Sequence, residues 1–157
     1  MSGDYQAVIP APFGTLGIRT RGQRLTAIDF LPHDTPLVSA QDPFAARVVE
    51  EIEAYLEDPR HVFRLPVEAA GTPFQRRVWQ ALAGLPAGCV TTYGALAQAL
   101  GSSARAVGQA CGANPIPLVI PCHRVVARAG PGGFMNRTGG SALAIKAWLL
   151  RHERGAA

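Results

Sequence analysis

Cys122-His123-Arg124 sits inside an apolar stretch, with Leu118-Val119-Ile120-Pro121 before it and Val125-Val126 after it. A thiolate is a nucleophile where a thiol is not, and cationic neighbours raise the thiolate fraction. His123 could also take up a proton, so this triplet has the residue types for nucleophilic chemistry. A cysteine between β-branched residues equally fits an inert core position, and composition does not choose between the two. Adjacency alone does not bring His123 onto the sulfur. On a strand, successive side chains point to opposite faces, so a bridging water or a local bend is required. Just upstream, Asn114-Pro115-Ile116-Pro117 forces a turn, because each proline fixes its own φ and restricts the residue before it. The thiol is therefore expected at a rigid bend.

Other reactive side chains are sparse in the 157 residues. Cys89 and Cys111 complete a set of three cysteines, with no C-x-x-C and no ligand-like spacing to the four histidines. Neither a disulfide framework nor a metal site is indicated. Hydrophobic content of 48% with 17% charged residues describes a globular chain and excludes disorder. The formal charge of +4 comes from 14 Arg and a single Lys against 11 acids. Guanidinium forks bind phosphates bidentately, so nucleic acid is a natural partner class. The chain shows no signal-peptide pattern and no apolar run of the ~20 residues a membrane span needs, so a cytoplasmic protein without membrane contact is expected.

The elements that must position the triplet are readable in outline. Leu16 to Arg19 and Leu25 to Phe30 alternate as strands joined at Arg21-Gly22-Gln23, a hairpin. Asp42-Pro43 opens a helix that buries Phe44, Val48, Ile52, Tyr55 and Leu56 and stops at Asp58-Pro59. His61 to Leu65 reads as a further strand, and His33 and His61 as surface residues. Residues 66–71 form a linker. Thr72-Pro73-Phe74-Gln75 is a capping box for a helix burying Phe74, Val78, Trp79 and Leu82. A Thr92-capped helix ends at Gly101, and Ser102 or Ser103 caps the next, Ala104 to Cys111, which matches a helix-turn-helix. Ala104 and Gly108 lie one turn apart beside Arg105, a small-residue face that suits a DNA groove or close helix packing. The last helix starts near Ser141 with Ile145, Trp148, Leu149 and His152 as its apolar stripe. Glu153 falls at the edge of that stripe, where it is either solvated or in need of a partner. The fold class is α+β. A small N-terminal α/β domain of sheet plus helix (1–68) precedes a mainly helical domain with the helix-turn-helix (72–157).

Phe74-Gln75-x-x-Val78-Trp79, Tyr93-Gly94-x-Leu96-Ala97, Ala104-Arg105-Ala106-Val107-Gly108, Asn114-Pro115 and Ile120-Pro121-Cys122-His123-Arg124-Val125-Val126 occur in that order. From about Thr72 to Arg154 the chain resembles the O6-alkylguanine-DNA alkyltransferases. The resemblance implies repair of DNA without a cofactor, by a monomer. Cys122 would take the alkyl group from guanine O6 irreversibly, once per molecule. It implies a flipped-out base and minor-groove contact with double-stranded DNA, with Tyr93 rotating the nucleotide and hydrogen-bonding the base. Arg105 would fill the vacated stack, on the helix that carries Ala104 and Gly108. It also implies a water between Cys122 and His123, Glu153 orienting His123, and Asn114 holding backbone beside the thiol. Cys111 is expected to be structural, and Cys89 matches no role.

The glycine-rich loop at Gly132 to Gly140 departs from the family pattern, its glycine pair being displaced from Lys146. The residue that contacts O6 is therefore left unassigned. No cysteine precedes Cys89, which argues against the family's zinc-binding N-terminal variant. Alkyltransferase-like lesion sensors, the alternative, usually replace the cysteine, which is present here. A Cys-His hydrolase would need an oxyanion-hole motif that the sequence does not show.

Overall fold

A computed structural model describes residues 5–128, 130, 132–133 and 141–156. The chain divides into two compact units, Met1–Ala70 and Gly71–Ala157.

The first unit is an antiparallel sheet in the order β1 (Ala7–Ala11), β2 (Gly14–Arg21), β3 (Arg24–Leu31). Gly22 and Gln23 both take positive φ, 55° and 62°, the primed two-residue turn whose twist suits a hairpin. β1 was not expected, since AVIPA does not alternate and contains a proline. Pro10 is tolerated because β1 is an edge strand, where no ladder partner needs its missing N–H. α1 (Pro43–Glu57) starts as read, with Asp42 accepting from the Ala45 N–H at 2.8 Å. Its buried stripe of Phe44, Val48, Ile52 and Tyr55 packs on β1 and β2.

The strand expected at His61 to Leu65 does not form. The backbone there is taken up by side chains of α1: Glu51 accepts from the Arg64 N–H, and Arg47 donates to the Arg64 carbonyl. Nor is His61 a free surface residue. It meets Glu51 at 3.4 Å and packs edge-on against Phe63.

The second unit holds α2 (Pro73–Ala83), β4 (Thr91–Thr92), α3 (Tyr93–Leu100), α4 (Ala104–Gly112), a 3₁₀ turn at Cys122–Arg124, β5 (Val125–Val126) and α5 (Ser141–Glu153). The Thr72–Gln75 capping box closes in both directions, at 2.9 and 3.1 Å. Trp79 then donates its indole N–H to the Ala110 carbonyl at 2.9 Å, locking α2 against α4. Gly101 ends α3 in the left-handed region, φ 66°, where a side chain would be strained, and Ser103 caps α4. α3 and α4 are thus packed neighbours joined by a tight turn. Among the described residues, no helix is long and apolar enough to cross a membrane.

Candidate active site

The short parallel pair β4–β5 is the hinge of the site. Thr91 pairs with Val125 and Thr92 with Val126. Tyr93, the residue after β4, is thereby held beside the 3₁₀ turn that precedes β5. The apolar run before Cys122 is not a strand but a sequence of turns, and Leu118 takes a left-handed φ of 74° within it. For a non-glycine residue that conformation costs about 1–3 kcal/mol and persists only where surroundings enforce it.

Asn114 is much of what enforces it. Its side-chain carbonyl accepts from the Ile116 N–H at 2.9 Å, and its amide Nδ2 donates to the Ile120 carbonyl at 2.8 Å. The same Nδ2 lies 3.1 Å from Cys122 Sγ, a donor aimed at the sulfur. Cys122 is 4% exposed, at the start of the 3₁₀ turn. That turn is the local bend adjacency required.

His123 is fully buried, and its Nε2 meets Glu153 Oε2 at 2.7 Å. A carboxylate only accepts, so the ring proton is on Nε2 and Nδ1 carries the lone pair. Nδ1 has no hydrogen-bond partner among the described residues. Burial holds the imidazole pKa below its ordinary value, opposed by Glu153, so the ring is a neutral base at neutral pH. Arg124 turns away from the thiol. Its Nε and Nη2 grip Glu153 at 2.8 and 2.9 Å, and Nη1 donates to the Leu85 carbonyl. The expectation that His123 and Arg124 are the cations activating the thiol is therefore corrected.

The cation whose charge favours the thiolate is Lys146, the only lysine in the chain and wholly buried. Its Nζ donates to the carbonyls of Val125 and Gly133, both at 2.7 Å, and lies 3.4 Å from the Tyr93 hydroxyl. Burial pulls its pKa down to about 8. Tyr93 donates to the Gly133 carbonyl at 3.2 Å, and burial, then the two nearby thiols, push its phenol up to about 12. The phenol is thus a hydrogen-bond donor throughout the neutral range.

Lys146 escaped the sequence reading because the buried stripe of α5 is rotated from the expected one. Ala142, Ile145, Lys146, Leu149 and Glu153 face inward, while Trp148 and His152 stack on each other at 4.6 Å outside that face. A helix that buries two charged residues looks, by polarity, as if that face were the wet one.

The site residues expected from sequence divide into two groups. Asn114 is brought to Cys122 and Glu153 to His123, each within hydrogen-bond distance, and Cys122 and His123 are adjacent in the 3₁₀ turn. On α4, Gly108 faces the Tyr93 ring, and Ala104 and Arg105 are exposed. The loop residues 134–140, where an O6 contact was left unassigned, lie outside the described residues.

Charge is distributed very unevenly along the chain. Residues 71–157 hold nine of the 15 basic residues but one of the 11 acids, and that one is Glu153. With Glu153 buried against Arg124 and Lys146 buried too, the exposed charged side chains among the described residues of this unit are arginines.

The family model described as 6-O-methylguanine DNA methyltransferase, DNA binding domain, matches residues 73–155. The constitutive methylated-DNA–protein-cysteine methyltransferase of Bacillus subtilis is 34% identical over 161 residues, covering 96% of each chain. The Salmonella typhimurium protein of the same name is 43% identical over 138 residues, 86% of this chain and 77% of that one. A variant of the Mycobacterium tuberculosis O6-methylguanine methyltransferase superposes with a TM-score of 0.79 at 35% identity, covering 96% of this chain and 92% of that one. The M. tuberculosis protein in complex with DNA gives 0.76 at 33% identity, with the same coverage. Similarity that spans the whole chain, and a family model that takes in nearly all of the second unit, show that the chain belongs to the 6-O-methylguanine DNA methyltransferase family.

Proposed function

We propose that this protein repairs DNA by moving the alkyl group of O6-alkylguanine onto Cys122, one group per molecule. The observation that carries the reading is the Cys122 sulfur, held by Asn114 at 3.1 Å beside a neutral His123 that a carboxylate keeps in one tautomer. The sulfur attacks the alkyl carbon in line, the C–S bond forming as the C–O bond breaks. The thiol proton passes to His123 Nδ1 through a water, and Glu153 stabilises the imidazolium that results. Lys146 stabilises the thiolate, the Tyr93 hydroxyl leaves the Gly133 carbonyl to donate to the base, and the departing guanine anion takes up one proton from solvent. The thioether product is not cleaved, so no regenerating step is needed.

A thiol that is 4% exposed is out of reach of a base stacked in a duplex, so the guanine must be flipped out. The exposed Ala104 and Arg105 on α4 are suited to this role. Small residues let the helix lie deep in the minor groove, and Arg105 fills the gap left in the stack. Minor-groove contact carries little sequence information, as a scanner of damage anywhere requires. The arginine-rich second unit supplies the attraction to phosphate, and binding is as a monomer.

The test is to incubate the protein with duplex DNA containing O6-methylguanine and weigh it intact. A gain of one methyl, mapped to the peptide carrying Cys122 and stopping at one per molecule, is expected. Tight binding with unchanged mass would overturn transfer and leave a lesion sensor.

A further inference from the structure

α4 ends without the left-handed glycine that closes α3. Ala113 stops it at φ −89° and ψ 0°, and the Ala113 N–H is shared between the Gln109 and Ala110 carbonyls at 3.1 and 3.3 Å. The Asn114 N–H reaches the Cys111 carbonyl at 3.2 Å, and Pro115 then has no N–H to offer. A nine-residue helix closed this weakly does not hold its last turn by itself. The firmest bond there comes from another helix. Trp79, 3% exposed on α2, donates its indole N–H to the Ala110 carbonyl at 2.9 Å. The six-membered end of the same ring is seated against Gly71, where a Cβ would fall 2.5 and 2.7 Å from Trp79 Cη2 and Cζ3. The indole is thus fixed at both ends, by the Ala110 carbonyl at one and by a bare backbone at the other.

Asn114 follows directly on that last turn. One amide nitrogen, Nδ2, holds both the Ile120 carbonyl at 2.8 Å and the Cys122 sulfur at 3.1 Å. A shift of the turn that carries Asn114 therefore loosens both contacts at once. We propose that Trp79 is a positioning residue for the thiol, acting through the Ala110 carbonyl and the last turn of α4 to hold the Asn114 amide on Cys122 Sγ. A donor stabilises a charged acceptor more than a neutral one, so the Asn114 bond favours the thiolate. The indole N–H thus bears on how readily the sulfur loses its proton without touching it. That this serves alkyl transfer rests on Cys122 being the alkyl acceptor. A ring that only filled the core would act through its buried area, and a phenylalanine would serve in its place.

The experiment compares the full-length protein with Trp79→Phe, which keeps a buried aromatic ring and removes the N–H. Each is treated with iodoacetamide across the neutral-to-alkaline range, and peptide masses follow the rate at Cys122 separately from Cys89 and Cys111. In Trp79→Phe the curve of rate against pH should move about one unit to higher pH, which is about tenfold slower at a fixed pH on its rising part. Lys146 and Cys111, the other groups that bear on this thiol, are the same in both proteins, so the difference between the curves reads the Asn114 bond. In a double-mutant cycle, Trp79→Phe should slow an Asn114→Ala protein no further. Superimposed curves, or the same tenfold loss in the Asn114→Ala background, would overturn the proposal and leave Trp79 a packing residue. If Trp79→Phe does not fold, Gly71→Ala carries the test, because it keeps the N–H but pushes the ring off its seat. Its curve should move in the same direction, and an unmoved curve would overturn the proposal equally. Methyl uptake from O6-methylguanine DNA by the unsubstituted protein separates the two ideas. Its absence would overturn the acceptor role of Cys122 and leave the iodoacetamide result standing.

Discussion

Arg124 grips both carboxylate oxygens of Glu153, at 2.8 and 2.9 Å, and His123 shares Oε2 at 2.7 Å. Two donors from adjacent residues thus converge on one buried acid, the only acid in residues 71–157. Arg124 holds that carboxylate in place against the imidazole, and so fixes the ring proton on Nε2 and the lone pair on Nδ1. Arg124 therefore acts as a positioning residue, through Glu153 and then His123.

Replacing Glu153 by Gln tests this chain of support. Glutamine presents an NH₂ where one of two donors now finds an acceptor, so either Arg124 or His123 faces donor to donor. Breaking a buried pair from one side costs about 3–5 kcal/mol, visible as a lower unfolding midpoint. The single-turnover rate with free O6-benzylguanine should fall by about 10²-fold, the usual worth of a positioned base. Duplex affinity should hold. An unchanged rate in a folded E153Q protein would remove Glu153 from the mechanism.

The titrating groups give stability a pH signature with two arms. In the unfolded chain His123 has the ordinary imidazole value, while burial lowers it in the folded state. As pH falls through about 6.5 the unfolded chain gains a proton that the folded one refuses, so stability drops on the acid side. Lys146 releases its proton at about 8 when folded and at 10.5 when unfolded. Between those values the unfolded chain binds more protons, so this group makes stability rise with pH. Urea midpoints measured from pH 7.5 to 10.5 should climb less steeply in Lys146→Met than in the unsubstituted protein. The slope is the readout, since the level also reflects the lost bonds to Val125 and Gly133. Equal slopes would mean that Lys146 keeps its proton in the folded protein.

Helix starts were legible because capping is local chemistry. Asp42, Thr72, Thr92 and Ser103 each accept from a backbone N–H three residues on. The placing of Asn114 beside Cys122 and the pairing of Glu153 with His123 were expected because Pro-Cys-His-Arg and Asn-Pro carry a family's signature. Three things were not. β1 hides in a non-alternating run with a proline, which only its edge position excuses. Lys146 looks like a solvent-facing lysine until Val125 and Gly133 are seen to offer their carbonyls to it. The approach of the Asn114 amide to the Cys122 sulfur depends on the chain folding back through the 114–122 turns, a tertiary fact that spacing does not encode. The charge split was in the sequence throughout, but a net +4 conceals an acidic first unit beside a strongly basic second one.

Arg105 provides a clean separation of binding from chemistry. It is exposed on α4, outside the Cys122–His123–Glu153 group. Arg105→Ala should weaken binding to a lesion duplex by roughly tenfold, as the loss of one stacking or groove contact does. The slope of affinity against salt should become shallower. Reaction with free O6-benzylguanine should proceed at the unsubstituted rate. If the free base also reacted slowly, the assignment of Arg105 to DNA would be wrong.

Gly132→Ala should fail in the opposite pattern. Gly132 has φ +73°, and a Cβ there would fall 2.7 Å from Tyr93 Cε2 and 3.3 Å from the Ala127 backbone nitrogen. The backbone cannot yield as a flexible side chain would, so the Tyr93 ring must rotate. That rotation breaks the hydroxyl's bond to the Gly133 carbonyl and its approach to Lys146, both of which fix the donor beside the thiol. On the proposed role of Tyr93 as a donor to the base, the free base and the lesion duplex should slow together, while affinity for undamaged DNA stays constant. Stopped-flow rates for both substrates, set beside those of Arg105→Ala, read the two patterns directly. Slowing with the duplex alone would place Gly132 and Tyr93 with the DNA-binding surface and leave the leaving guanine without its donor.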